Sequence, residues 1–323
     1  MALTKQFGQL KNLFKKQAPS KLAITVLAGG PSGEREVSLA SGKCVADALR
    51  QAGHSVFLED INPENLGALA RAVDCVFVAL HGTFGEDGEV QRILDKRGLV
   101  YCGSGVAACE LAMDKAVAKK RFIDAGLPTP RFDVATPETI REAMAAWTLP
   151  LVVKPVKEGS SLSCFIIREF TQFRPALDLV IEKYGEALIE EYIPGKEITV
   201  GILGDEALPP IEIRTRRDFY DYAAKYVDED TEYLFDIDLP ASLLMQIREM
   251  SLRAHRALGC RDFSRVDWRV NPEEQKALLL EINVIPGLTS HSLLPKAAAK
   301  VGHDMPALCR RIVEMALNRR DTH

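Results

Sequence analysis

No stretch of about 18 consecutive apolar residues occurs in this 323-residue chain, so the sequence predicts no membrane-spanning helix. The seven cysteines, Cys44, Cys75, Cys102, Cys109, Cys164, Cys260 and Cys309, form no CxxC pair and no metal-ligand spacing. In contexts such as "DCVFVAL" they read as small buried hydrophobes, which fits a reducing cytoplasm and argues against redox chemistry. Positive charge is not in excess. Lys and Arg number 41 against 45 Asp and Glu, a net charge of −4, and with a pI of 6.0 this argues against a nucleic-acid partner. The phosphate-binding GxxxxGK[ST] loop is absent: "SGKC" at Ser41–Cys44 lacks the upstream glycine and the hydroxyl residue. "GGPSGE" is not GxGxxG either. A nucleotide has to be held in another way. The opening "MALTKQFGQLKNLFKKQAPSK" has no continuous apolar stretch and no small-residue cleavage site, so it does not read as a secretory signal. Residues 1–20 read as a tail outside the folded core: an amphipathic arm, a partner-binding helix or a disordered segment.

What is present is a globular composition, 47% hydrophobic and 27% charged, in a chain long enough for two or three domains. "LAITVLAGG", "SVFLED" and "DCVFVALHG" read as strands, with "EVSLASGKCVADALRQAG" and "GEVQRILDKRG" as helices between and after them. Strands and helices alternating across short glycine-rich joins predict a parallel α/β domain. Ligands in such sheets gather at the carboxyl ends of strands, so the loops Ala28–Glu34 and Leu80–Glu89 are expected to face one crevice. The proline-rich "AGLPTPRF" near residues 126–132 marks a break. A second segment follows with the strands "LPLVVKP" and "ALIEEYIPGKEITVGIL" around a helix near residues 171–184. The third runs from about residue 200 through a polar, tyrosine-rich stretch, a helix over Ser242–Leu258, the strands "FSRVDWRV" and "ALLLEINV", and a C-terminal helix.

The last two strands carry the clearest chemistry. The turn-rich "NPEEQK" between them predicts a hairpin. With the turn centred near Glu274, Asp267 faces Glu281, and Asn283 shares their side because strand side chains alternate. Arg265 joins the same face. Two carboxylates and an amide suit a hard cation such as Mg²⁺ bridging phosphates. The same residues also read as an ion-pair face, Arg265 and Arg269 against Asp267 and Glu281, or as the acid–base pair of a glycosidase. A glycosidase does not call for Asn283, nor for the phosphate-suited elements upstream. Those are Lys154, at the end of the strand in "VVKPVKEGSSLSC", and the Gly-Ser-Ser loop after it, which offers N–H groups and hydroxyls to phosphate oxygens. "EEYIPGKE" adds Glu190 and Glu197, the latter a carboxylate able to accept from ribose hydroxyls.

Taken in order along nearly the whole chain, "GGPSGEREVSLASG", "HGTFGEDGEVQ", "MDKAVAKKRFIDAGLPTP", "VVKPVKEGSS", "EEYIPGKEITV", "DFYDYAAKY", "FSRVDWRV" and "LEINVIPGLTSHSLLP" resemble the D-alanine–D-alanine ligase family of the ATP-grasp superfamily. The resemblance implies a mixed α/β (α+β), three-domain ATP-grasp fold with an N-terminal parallel α/β domain. The expected divisions are a tail (1–20), an N-terminal substrate domain (21–115), a central ATP-grasp domain (116–200) and a C-terminal catalytic domain (201–323). It implies ATP as co-substrate, two Mg²⁺ or Mn²⁺ ions, D-alanine as substrate, a homodimer, a cytoplasmic setting, and no nucleic-acid or membrane partner.

By the same resemblance, Lys115, Lys154 and Lys225 meet phosphates, and Ser161 lies in the loop covering them. Glu190, Glu191 and Ile193 border the adenine, and Glu197 the ribose. Asp267, Glu281 and Asn283 hold the metal, in agreement with the strand-face reading. Glu34 takes the ammonium of the first D-alanine and joins Ser160 and Tyr226 in a hydrogen-bonded set. Arg265 and the Gly287 N–H stabilise the oxyanion. His81, Ser292 and Leu293 bind substrate. Two positions depart from the family pattern: Ser163 stands where the loop usually has a second glycine, and Val284 where threonine is common. If position 163 needs positive φ, its serine is strained. A D-alanyl-D-lactate-forming relative and a catalytically inactive nucleotide-binding relative are the competing readings.

Overall fold

A computed structural model of the chain describes residues 21–215 and 231–320. The predicted tail lies outside them. The first unit contains β1 (Ala23–Gly29), α1 (Arg35–Gln51), β2 (Ser55–Ile61), β3 (Cys75–Val78), α2 (Glu89–Lys96) and β4 (Tyr101–Cys102). Its four strands form a parallel sheet in the order β2-β1-β3-β4, as the alternating pattern predicts. Two helices, α3 (Val106–Met113) and α4 (Lys115–Asp124), lead out of it. Asp114 caps α4 by accepting from the Val117 N–H.

The second unit comprises β5 (Phe132–Ala135), α5 (Ile140–Ala146), β6 (Leu151–Pro155), β7 (Phe165–Ile167), α6 (Phe170–Tyr184) and β8 (Ala187–Glu191). Its antiparallel sheet runs β5-β8-β6-β7. Trp147, Leu151, Phe173, Leu177 and Ile189 give it a core of its own.

The third sheet is built from β9 (Lys196–Leu203), β10 (Glu206–Ala207), β11 (Ile211–Arg214), β12 (Glu232–Leu234), β13 (Phe263–Asn271) and β14 (Lys276–Asn283). It is antiparallel in the order β12-β11-β9-β13-β14, with β10 on β9. Helix α7 (Ala241–Ala257) backs it, and α8 (Leu293–Lys300) and α9 (Met305–Arg320) follow. Sequence order groups β9 with the second segment, but the strand pairs with β13 instead. The chain crosses between sheets at Gly195, whose φ is +114° and where a Cβ would meet the Val270 carbonyl oxygen at 2.1 Å. Only glycine fits that crossing.

Strand β13 shows why the sheet has a working face. Val266, Trp268 and Val270 are fully buried, and the Trp268 indole N–H donates to Ser251 of α7 at 2.9 Å. Arg265, Asp267 and Arg269 alternate onto the other side, where Asp267 and Arg269 line a cleft. The first unit is fixed to this sheet by stacking of Phe77 on Phe263, 6.2 Å apart, and by Asp262, which accepts from the Gly103 N–H at 2.7 Å and from Arg319.

Candidate active site

The cleft lies between the second and third sheets and is lined by Lys115, Lys154, Glu190, Asp267 and Glu281, among others. Its third-sheet wall is the hairpin. Asp267 pairs with Glu281 and Arg265 with Asn283, the pairing expected from sequence, but the turn alone does not produce it. From Asn271↔Lys276 through Trp268↔Leu279 the register would bring Leu280 opposite Asp267. A β-bulge at that point inserts Leu280 and shifts Glu281 into line. The core positions record the phase change: Ala277 and Leu279 are buried two apart, then Ile282 three further on.

Asp267 is tightly held. It accepts from Thr199 Oγ1 at 2.6 Å, from Arg265 Nε and Nη2 at 2.9 and 2.7 Å, and from Asn283 Nδ2 at 2.9 Å. Glu281 lies 3.6 Å from Lys115 Nζ. No cluster of three or more His, Cys, Asp or Glu exists among the described residues. The hairpin offers two carboxylates and one amide, all hard oxygen donors. That set fits Mg²⁺, which commonly takes one or two carboxylates and completes its shell with water and substrate phosphate.

The opposite wall supplies positive charge through an arrangement the sequence does not reveal. Lys154 of β6 is 2.5 Å from Glu190 Oε2, and Lys119 of α4 is 2.6 Å from Glu190 Oε1. Lys119 is fully buried and Glu190 nearly so. Burial pushes Lys119 down to about 8 despite Glu190. Burial also works against the charge of Lys154, but Glu190 and Glu281 outweigh it and raise that ammonium well above its ordinary range. For Glu190 burial acts upward, and the two lysines more than offset it, keeping the carboxylate ionised. Lys119 further donates to Thr129 Oγ1 at 2.6 Å, which donates to the Leu279 carbonyl at 2.7 Å. The network thus runs from Lys154 to the strand beside the bulge. In sequence, Lys119 looks like one of several solvated helix lysines; only Thr129 and Glu190, brought from elsewhere, reveal it.

Glu191, Ile193 and Glu197 line the same cleft. Arg269, which the sequence reading used only as an ion-pair partner, donates to the Ile193 carbonyl at 3.2 Å and lies 3.5 Å from Glu197. It therefore fixes the segment in which the resemblance puts adenine and ribose contacts.

Ser161 lines the cleft near Lys154 and Glu158. Ser160, Ser161 and Ser163 have φ of +51°, +56° and +54°, so the departure at position 163 does impose a left-handed conformation on serine. In return, its hydroxyl lies 3.3 Å from Tyr184 Oη. Ser163→Ala keeps the unfavourable backbone and loses that contact, so the KM for ATP should rise about 3- to 10-fold, the effect of one lost hydrogen bond. Ser163→Gly loses the contact but removes a backbone cost of about 1 kcal/mol, so its KM should lie below that of the alanine variant. Equal KM values for the two variants would show that backbone strain plays no part.

Ser160 donates to Glu34, joining the second unit to the first. Tyr226 and Lys225 lie outside the described residues. Glu86 sits in the adjoining pocket with Lys115, Gly159 and Asn283. It accepts from the Gly82 N–H at 2.8 Å and the Ile285 N–H at 3.3 Å. Burial, then the nearby Glu34 carboxylate, pushes it up to about 8. Two acidic side chains here can receive an ammonium group. The "GEDGE" run was the available sequence signal for Glu86.

His81, expected among the substrate contacts, instead lies behind the pocket wall. It is 5% exposed, and its ring bonds to Ser41 Oγ at 3.1 Å and to the Ile285 backbone. Leu293 likewise turns its side chain into the core beside Leu288 and Leu294, so only its backbone can meet a ligand. Gly287 and Ser292 are close neighbours: a Cβ on Gly287 would lie 2.8 Å from Ser292 Oγ. Val284 is buried, 2% exposed, in the core.

This geometry has known relatives. Residues 122–314 match the family profile described as D-ala D-ala ligase C-terminus, and residues 58–104 match D-ala D-ala ligase N-terminus. The D-alanine--D-alanine ligase of Acidiphilium cryptum is 46% identical over 296 residues, covering 91% of this chain and 98% of that protein. The crystal structure of D-alanine--D-alanine ligase from Bacillus anthracis superposes with a TM-score of 0.83 at 35% identity, covering 93% of this chain and 99% of that one. A second structure of the Bacillus anthracis enzyme, complexed with ATP, gives 0.79 at 31% identity, with coverages of 93% and 99%. With matched profiles over most of its length and an oxygen-lined hairpin facing paired lysines, the chain belongs to the D-alanine–D-alanine ligase family.

Proposed function

We propose that this chain joins two D-alanine molecules into D-alanyl-D-alanine at the expense of ATP, releasing ADP and phosphate, for peptidoglycan precursor synthesis. The observation that carries this reading is the meeting of Asp267 and Glu281 with Lys115 and Lys154 in one cleft, with Asn283 bonded to Asp267 from the adjoining pocket. A carboxylate is a poor acyl donor. Its oxygen attacks the γ-phosphorus of ATP, ADP leaves, and an acyl phosphate results. The second amine then attacks the acyl carbon, and phosphate leaves from the tetrahedral intermediate.

Phosphoryl transfer rests on positioning and charge neutralisation. Lys154, held ionised between Glu190 and Glu281, supplies fixed positive charge, and Lys115 reaches the carboxylate side of the cleft. Asp267, Glu281 and Asn283 would hold one or two Mg²⁺ ions, which when bound neutralise charge on the phosphate oxygens. Glu34, tied to Ser160, receives the ammonium of the first D-alanine with Glu86 beside it. Arg265, fixed by two bonds to Asp267, faces the developing oxyanion together with the Gly287 N–H. Ser292 accepts the carboxylate of the second substrate. Lys225 and Tyr226 would complete the cover from their loop. The three sheets support a division near the expected boundaries, with β9 counted in the third unit. A homodimer and a cytoplasmic location, where ATP is supplied, belong to the same proposal.

The test is ADP release with ATP and Mg²⁺ across a panel of D-amino and D-hydroxy acids. Release that depends on D-alanine, with D-alanyl-D-alanine as product, is expected. Product with D-lactate in place of the second D-alanine would favour the depsipeptide-forming reading, and no turnover with any acid the inactive one.

A further inference from the structure

Ser41 is fully buried on the face of α1 that packs against the first sheet. Neighbouring Ser38 on that face bonds to the Ala79 carbonyl at 2.9 Å, which draws the helix close to the end of β3. The Ser41 hydroxyl accepts from the Leu288 N–H at 3.2 Å and lies 3.1 Å from His81 Nε2. The His81 ring also bonds to the Ile285 backbone. Glu86 accepts from the Ile285 N–H on the other side.

Three residues of the first unit thus grip Ile285 and Leu288, the two ends of a four-residue segment that leaves the metal-bearing hairpin. Between the grips lie Pro286, whose ring fixes φ, and Gly287, which no Cβ could replace without meeting Ser292. The span is too short and too constrained to reorient while both ends are held. The direction of the Gly287 N–H is therefore set by residues more than two hundred positions away.

We infer that Ser41 is a positioning residue for the second half of the reaction: through His81 and Leu288 it aims the Gly287 N–H at the oxyanion of the tetrahedral intermediate. Ser41 touches no substrate. The inference rests on the ligase reading above. Its consequence is a split between the two chemical steps, because acyl-phosphate formation uses the lysines and the hairpin, whereas amine attack needs the oxyanion donor. Misaiming one such donor costs about 10- to 100-fold in rate.

The experiment compares the parent chain with Ser41→Ala and Ser41→Cys, the latter keeping size and a weaker donor. Dipeptide formation, positional isotope exchange in labelled ATP, KM for ATP and melting temperature are measured for each. Dipeptide kcat should fall about 10- to 100-fold in Ser41→Ala and less in Ser41→Cys. Isotope exchange, which reports reversible acyl-phosphate formation, and the KM for ATP should stay within about twofold, as no phosphate contact is touched. Combining Ser41→Ala with His81→Asn should add little further loss, because both break one clamp. Unchanged dipeptide kcat in both Ser41 variants would overturn the inference. So would a fall of isotope exchange in parallel with dipeptide formation, which marks a merely structural role. If Ser41→Ala does not fold, the same readouts on Ser41→Cys decide between these outcomes. A parent chain that makes no dipeptide would sink the ligase reading itself, an outcome distinct from the others.

Discussion

Asp267→Asn should lower kcat by about 10³-fold or more while leaving the fold in place. The substitution keeps the side-chain volume, and Thr199 and Arg265 retain an oxygen to bond. What it removes is one of two carboxylate charges and one hard anionic donor. Two consequences then act together: the cation loses affinity, and the charge-assisted bonds from Arg265 to Asp267 become a weaker bond to a neutral amide. Glu281→Gln removes the other carboxylate and the charge beside Lys115 and Lys154 but leaves the Asp267–Arg265 pair intact, so it is expected to cost less. Circular dichroism and melting curves establish that the variants fold. Isothermal titration with Mn²⁺ and a non-hydrolysable ATP analogue separates loss of metal binding from loss of chemistry. Full activity in both variants would refute the metal assignment and return the hairpin to an ordinary ion-pair face.

Lys119→Met should be the most costly single change outside the cleft lining. Removing one partner of a buried ion pair commonly costs about 3 kcal/mol or more, because the charge left behind has no water to solvate it. Glu190 keeps Lys154 but loses its second cation, and Thr129 loses its donor. Urea denaturation at pH 7 measures the loss. The double change Lys119→Met with Glu190→Gln should not restore that stability, because Lys154 then loses its buried carboxylate partner in turn. Nor should it restore the KM for ATP, which depends on Glu190 holding Lys154. Recovery of both together would contradict the network. The pH dependence has a definite sign. Lys119 titrates at about 8 in the folded chain against 10.5 ordinarily. Between those values the unfolded chain holds the extra proton, so this group makes stability rise with pH. In Lys119→Met that rise should vanish.

The two predictions divide cleanly by legibility. Asp267, Glu281 and Asn283 could be read from the sequence because acidic and amide residues interrupt an apolar strand pattern at a spacing of two. Alternation is a local rule, and local rules survive without coordinates. Lys119 obeys a local rule too, that of a charged helix residue in water, and here the rule misleads. The ammonium is buried by groups from α4, β8 and the 128–129 segment together, and no window of sequence contains them all. His81 points in the opposite direction: a histidine at a strand end by the crevice reads as a ligand contact, yet the fold buries its ring against Ser41 and the Ile285 backbone. Ser163 stood between these cases. Its departure from glycine was visible, its positive φ a stated condition, and its contact with Tyr184 a discovery of the fold.

By itself the sequence determined the repeating strand–helix order of the first unit, the hairpin and its polar face, and the donor chemistry available for phosphate and a hard cation. These follow from side-chain periodicity and from which atoms each residue carries. Tertiary structure alone decided that a one-residue bulge at Leu280 brings Glu281 opposite Asp267, that β9 joins the third sheet, and that Lys119 and Ser41 act behind the cleft. The physical reason is common to all three. Register, burial and long-range hydrogen bonding depend on what the rest of the chain places nearby, and a residue's dielectric surroundings are set by its neighbours in space, not along the chain.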